Sequence, residues 1–192
     1  MHRHPDVDDF YAAGRRWSGN PNEALIREVG EMPPGRVLDI GCGEGADAVW
    51  LAEQGWQVTA LDASGIAVQR AGELAEERGV DKRITFKVST LDAWLAAYLG
   101  ESFDLICGFF FPAPVLTEQA RELARLLRPG GVLLWVDHEW EGQRPERVGP
   151  AQMEALITDL VSTTSVSASP RNVTSGAGAH HHHEDLVLRA VR

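Results

Sequence analysis

The sequence predicts an α/β fold: a doubly wound, mostly parallel seven-stranded sheet with helices on both faces. Three observations carry that expectation. Short apolar runs of strand length alternate with helical stretches along the chain, as in a parallel sheet covered on both sides. The first such run, Val37 to Ile40, ends in the glycine turn Gly41-Cys42-Gly43-Glu44-Gly45 and passes straight into a helix. The chain's 192 residues, 44% of them apolar, suffice for one domain with a sizeable core and are too few for two comfortable ones.

Residues 1–20 are polar with Phe10, Tyr11 and Trp17 interspersed, and Trp17-Ser18-Gly19-Asn20-Pro21-Asn22 leads into a helix from about Glu23 to Glu31. Leu25, Ile26 and Val29 mark its apolar face. Pro33-Pro34-Gly35 breaks that helix ahead of the first strand. A helix from Ala46 to Glu53 closes at Gly55. Trp56 to Leu61 is the second strand, with Asp62 at its carboxyl end, and Ser64 can cap a helix from Ile66 to Arg78 that Gly79 ends. Ile84 to Ser89 and Phe103 to Cys107 are the third and fourth strands. Val115 to Leu127 is helical, with Leu116, Leu123, Leu126 and Leu127 as its apolar stripe. Arg128-Pro129-Gly130-Gly131 is a turn and Val132 to Val136 the fifth strand. A short helix from Gln152 to Leu160 and strands over Val161–Ser169 and Asp185–Val191 complete the chain.

Composition narrows the function classes. A formal net charge of −10 argues against a broad nucleic-acid footprint, which needs clustered Lys and Arg. Cys42 and Cys107 each end a strand and form no disulfide framework, which fits a reducing cytoplasm. The N-terminus lacks an apolar signal core and no run approaches membrane-spanning length, so a soluble, cytoplasmic protein is expected, with no membrane partner.

The glycine turn fits two ligand classes. Gly41-x-Gly43-x-x-Ala46 satisfies the relaxed dinucleotide fingerprint, with Asp62 about 20 residues on. Against a pyrophosphate stands Asp39, taken as ionised at neutral pH, two positions before the first glycine. A carboxylate there suits a ligand that carries its own positive charge. The stretch Val37-Leu38-Asp39-Ile40-Gly41-Cys42-Gly43-Glu44-Gly45 resembles the signature of the class I methyltransferases, hydrophobic-hydrophobic-(Asp/Glu)-x-Gly-x-Gly-x-Gly, at every position. The resemblance covers about 30–140 well, and it is closest to small stand-alone types such as the tellurite-resistance and thiopurine methyltransferases.

That resemblance implies S-adenosylmethionine as cofactor, a small-molecule methyl acceptor, and a last strand that runs antiparallel between the fifth and sixth. It divides the chain into a leading lid and helix (1–32), a cofactor-binding core (33–140) and a C-terminal helix with strands (141–192). Cofactor contacts are expected at Trp17, Asp39, Gly41, Cys42, Gly43, Gly45, Asp62, Ala63, Thr90, Leu91, Asp92 and Cys107. Asp62 would accept the ribose hydroxyls. After the third strand the family often places an acid that meets adenine, whereas here Thr90 takes that position and Asp92 arrives two residues late. Thr90 or Asp92 contacts adenine, or Asp92 simply caps a helix from Ala93 to Leu99.

Tyr11, Arg16 and Trp17 are candidate lid residues, with packing of Trp17 against the sheet as the alternative. The loop Gly108-Phe109-Phe110-Phe111-Pro112-Ala113-Pro114 lies where an acceptor would meet the cofactor, and Phe109 and Phe110, with Tyr11, are the candidate pocket residues. It lacks the Asn/Asp-Pro-Pro-Tyr/Phe motif of amino-group methylation of bases or glutamine. His138, after the fifth strand, is a candidate general base for an alcohol or phenol, or else plain surface polarity. His180 to His183 read as a solvated hairpin, since no second cluster at ligand spacing accompanies them, and no metal site is expected. Two other function classes stay open: a nicotinamide-dependent oxidoreductase and a non-catalytic S-adenosylmethionine-binding module.

Overall fold

The computed structural model describes residues 5–100, 102–138, 147–170 and 184–192. The histidines His180 to His183 lie outside the described residues. Helices α1 (Pro5–Ala12) and α2 (Glu23–Val29) precede strand β1 (Arg36–Ile40), then come α3 (Ala46–Glu53), β2 (Gln57–Asp62), α4 (Gly65–Glu77) and β3 (Ile84–Val88). After them follow α5 (Leu91–Ala97), β4 (Phe103–Phe109), α6 (Thr117–Leu126), β5 (Leu127–His138), α7 (Pro150–Ile157), β6 (Thr163–Pro170) and β7 (Glu184–Val191).

The sheet has seven strands in the order β3-β2-β1-β4-β5-β7-β6. The first five pair in parallel, and β7 pairs antiparallel with both β5 and β6. The last strand therefore lies between the fifth and sixth, as expected. Because successive strand residues point to opposite faces, two apolar layers form. Val37, Val58, Leu105, Cys107 and Leu134 meet α2 and α3 on one face. Leu38, Ile40, Ile106, Leu133 and Trp135 meet α5, α6 and α7 on the other. Ser64 caps α4 by accepting the Ala67 amide at 3.1 Å, as its position suggests.

Three local expectations are corrected. Thr90, not Asp92, is the N-cap of α5: its Oγ1 accepts the Ala93 amide at 3.4 Å, so the helix opens at Leu91 and Asp92 sits in its first turn. The turn at Arg128–Gly131 is absorbed into β5 as an irregularity, with Phe103 opposite Leu127 but Leu105 opposite Val132. It persists because Gly130 and Gly131 exchange backbone hydrogen bonds with Arg192 at the end of β7. His138 does not lie in a loop after β5 but is its last residue, since β7 extends the ladder and sets Asp185 opposite it.

Candidate functional site

The parallel strands point their carboxyl ends at one edge, and there the chain concentrates its buried acids and its turns. After Ile40 the backbone turns under control of a single acceptor: the amides of Gly41 and Cys42 both donate to the Leu61 carbonyl at 2.8 Å. Gly41, Gly43 and Gly45 all take positive φ, at 73°, 52° and 87°, where a side chain is strained. Space agrees with conformation. A Cβ on Gly45 would lie 2.6 Å from the Ala71 Cβ, and one on Gly41 would lie 2.9 Å from the Phe111 ring. The turn thus opens α3 with bare backbone N–H groups at its start.

Asp39 lies under this turn, only 2% exposed. Its Oδ1 receives a long contact from the Cys107 thiol at 3.8 Å, and its Oδ2 is buried with no hydrogen-bond partner. Burial pushes the Asp39 carboxyl well above the usual carboxylate range, and the negative charge of nearby Asp47 adds to the shift. Burial therefore works against the ionised form that the residue type suggests, and a cation placed at Oδ2 would favour it. An orphaned buried acceptor beside a glycine cradle fits a ligand that brings an ammonium or sulfonium to the turn.

Asp62 is buried at the end of β2. Its Oδ2 accepts the Gly43 amide at 2.9 Å and its Oδ1 accepts the Ser64 amide at 2.8 Å. Burial raises its pKa while the two backbone donors act to lower it. Each oxygen keeps a lone pair for a further donor. Ala63 follows it, half-buried, and Ser89 donates its amide to the Asp62 carbonyl at 2.9 Å, drawing the start of α5 beside β2. Leu91 packs into the core below that edge. Cys42 and Cys107 are unbridged, with burial raising both thiols well above their usual value. Asp47, on α3, accepts both the backbone and side-chain N–H groups of Asn22, and burial raises its pKa to about 6.

The leading segment lies across the glycine turn. Tyr11 is buried and accepts the Trp17 indole N–H at 3.4 Å, and a Cβ on Gly43 would stand 3.2 Å from the Tyr11 hydroxyl and 3.3 Å from the indole nitrogen. Glu44 ties the segment down: Oε2 accepts the amides of Arg16 and Trp17 at 3.0 and 3.2 Å, and Oε1 pairs with Arg70 at 2.8 Å. Arg70 also donates to the Gly14 carbonyl, and Asp8 accepts from the Ser64 hydroxyl at 2.7 Å. The Arg16 guanidinium stacks over Phe10, 4.6 Å from its centroid. Sequence reasoning missed Asp8, Glu44 and Arg70. Isolated charges on three separate elements carry no pattern, and only the fold brings them together.

The three phenylalanines separate. Phe109, the last residue of β4, pairs with Val136 of β5 and packs into the core layer. Phe110 has φ of 52° and lays its ring against His138 at 4.4 Å between centroids. Phe111 reaches back over Gly41 and meets Trp135 edge-on at 5.8 Å. Gly108 makes room for Trp135, because a Cβ there would lie 2.3 Å from its ring.

Comparison with known proteins agrees with this geometry. A family model described as a methyltransferase domain matches residues 37–131. The chain is 33% identical over 155 residues to methyltransferase GfsG of Streptomyces halstedii, covering 79% of this chain and 53% of that protein. It is 32% identical over 164 residues to the 2-heptyl-1-hydroxyquinolin-4(1H)-one methyltransferase of Mycobacteroides abscessus, covering 82% of this chain and 71% of that one. The chain thus spans between about half and about seven-tenths of the length of these relatives. In fold it is similar to a solved structure concerned with conversion of a disulfide bond into a thioacetal group during echinomycin biosynthesis. That match has a TM-score of 0.72 at 21% identity, over all of this chain and 92% of that one. Glycine turn, buried acid, strand order and relatives agree: the chain belongs to the class I S-adenosylmethionine-dependent methyltransferases.

Proposed function

We propose that the protein transfers the methyl group of S-adenosylmethionine to a nucleophile on a small molecule. One observation carries the reading: the buried Asp39 carboxyl, with an unpartnered oxygen, beside the three-glycine turn. When bound, S-adenosylmethionine supplies an activated methyl on a sulfonium. The chain's own part is alignment and exclusion of water, which can account for several kcal/mol of the barrier. Asp39 would take the ammonium, Asp62 the ribose hydroxyls, and Thr90 or Asp92 the adenine side. Tyr11 and Trp17 would close over the turn as a lid, and Phe110 would face the acceptor. His138 would serve a hydroxyl acceptor as base. A small acceptor agrees with the net charge of −10, which disfavours nucleic acid, and with the named substrate of the quinolinone relative.

No helix among the described residues is long and apolar enough to cross a membrane. Cytoplasmic residence is part of the proposal and rests on the two unbridged cysteines. Thermal-shift titration with S-adenosylmethionine, S-adenosylhomocysteine and NAD tests the reading, because a bound ligand raises the midpoint with saturation. Stabilisation by the first two supports it. A response to NAD alone would overturn it in favour of an oxidoreductase.

A further inference from the structure

The segment between α1 and α2 is held differently from the helices on either side of it. α1 is fixed by the buried Tyr11 and by Asp8, which accepts the Ser64 hydroxyl at 2.7 Å. α2 buries Ala24, Leu25 and Val29, and its N-cap Asn22 gives Asp47 two hydrogen bonds, at 2.7 and 2.6 Å. Between these anchors Arg15, Ser18 and Gly19 are exposed and Trp17 is 44% exposed, so little apolar burial holds this strap. Gly14 and Gly19, at its two ends, have φ of 122° and 78°, and a Cβ on either would meet no atom within 4 Å. Glycine is needed there for backbone conformation rather than for space, and such residues can absorb the rotation of a hinge.

One carboxylate from the glycine turn closes the strap. Glu44 Oε2 accepts the amides of Arg16 and Trp17, and Oε1 accepts Arg70 at 2.8 Å. The same Arg70 nitrogen also donates to the Gly14 carbonyl at 2.9 Å, so it grips the strap at its first hinge. Close approach of α3 and α4 lets the pair meet: Gly45 packs on Ala71, which brings the preceding residues Glu44 and Arg70 together. Their side chains are only 11% and 22% exposed, so solvent screens the ion pair little. The strap in turn sets the Trp17 indole, with the Tyr11 hydroxyl, against Gly43. We propose that Glu44 and Arg70 are positioning residues that latch a hinged strap, Gly14 to Gly19, over the cofactor's place at the glycine turn. Breaking the latch is the step that admits S-adenosylmethionine and releases S-adenosylhomocysteine. This rests on the methyl-transfer reading above. The latch is a set of polar contacts near the surface, so it opens without uncovering the core, and both helices stay in place.

Ligand exchange tests the latch without any methyl acceptor. Labelled S-adenosylhomocysteine chased from its complex by excess unlabelled ligand gives the dissociation rate, and stopped-flow tryptophan fluorescence gives the association rate. Glu44→Gln keeps an acceptor for the strap amides and loses the charge that holds Arg70. Arg70→Met keeps the apolar stem and loses both hydrogen bonds. Each should speed dissociation by about tenfold, the loss of one or two charged hydrogen bonds, and Arg70→Lys should recover part of the parent's rate. Association should also speed up, because the free protein spends less time latched. A merely structural defect would slow association instead. The two residues sit on different elements, so agreement between their variants, at unchanged unfolding midpoints, separates the latch from a local fault in either. Exchange at the parent's rates in both variants, or faster dissociation coupled to slower association, would overturn the latch. Failure of the parent to bind S-adenosylhomocysteine at all would instead overturn the methyl-transfer reading, and the latch with it.

Discussion

Asp62, the last residue of β2, accepts the amide of Gly43, the central glycine of the turn after β1, at 2.9 Å. The acid expected to meet the ribose therefore also shapes the glycine turn after β1. Its other oxygen holds the Ser64 amide, so one carboxylate satisfies two buried N–H donors on adjacent connections.

That double duty changes what a substitution should do. Asp62→Ala orphans both amides, each at a cost of about 1–3 kcal/mol, whereas Asp62→Asn keeps one acceptor and orphans one. Denaturant midpoints should fall in the order parent, Asn, Ala, and S-adenosylhomocysteine affinity should fall in the same order. Equal midpoints for all three proteins would show that the turn does not depend on this carboxylate.

The glycine turn, Asp39, Asp62 and the alternation of strands and helices were legible because each is local. They rest on a few consecutive residues whose chemistry is unusual. What was illegible is relational. Asp92 outranks Thr90 as a cap by type alone, yet the position after Ser89, which bonds back to the Asp62 carbonyl, starts the helix at Leu91. Three consecutive phenylalanines cannot be sorted without knowing that β4 runs to Phe109 and that the backbone reverses hand at Phe110. Asp185 gains meaning only from the β5–β7 register, and Glu44 only from the segment folded over it. The ionisation of Asp39 depends on burial, which residue type does not report.

Glu44 offers a test of the leading segment as a lid. Glu44→Ala removes the acceptor of the Arg16 and Trp17 amides and the partner of Arg70. Amide exchange over residues 11–17 should speed up, with little change across β1 and β4. In the parent, S-adenosylhomocysteine should slow exchange over the same residues. Exchange unmoved by ligand would reduce the segment to packing.

Asp39 should make the fold itself pH-sensitive. Its folded pKa stands above the unfolded value of about 3.9, so the folded protein holds a proton that the unfolded chain has released. Stability should then fall as pH rises above about 4, and the loss continues up to the raised folded pKa. Asp47 adds a smaller decline between about 4 and its value of about 6. Asp39→Asn, neutral throughout, should be more stable than the parent at pH 8, with the gap closing toward pH 4. A parent that gains stability against the variant as pH rises would contradict the burial argument.

Calorimetry of S-adenosylhomocysteine binding to the parent and to Asp39→Asn tests most directly whether the buried carboxyl receives the ligand's ammonium. Binding to the parent should release a proton as Asp39 ionises, seen as different heats in phosphate and Tris, and affinity should rise with pH. The variant should release no such proton and bind more weakly by about 1–2 kcal/mol, a charge-assisted bond having become a neutral one. A variant that binds as tightly as the parent or more tightly, with the same buffer-dependent heat, would contradict the account.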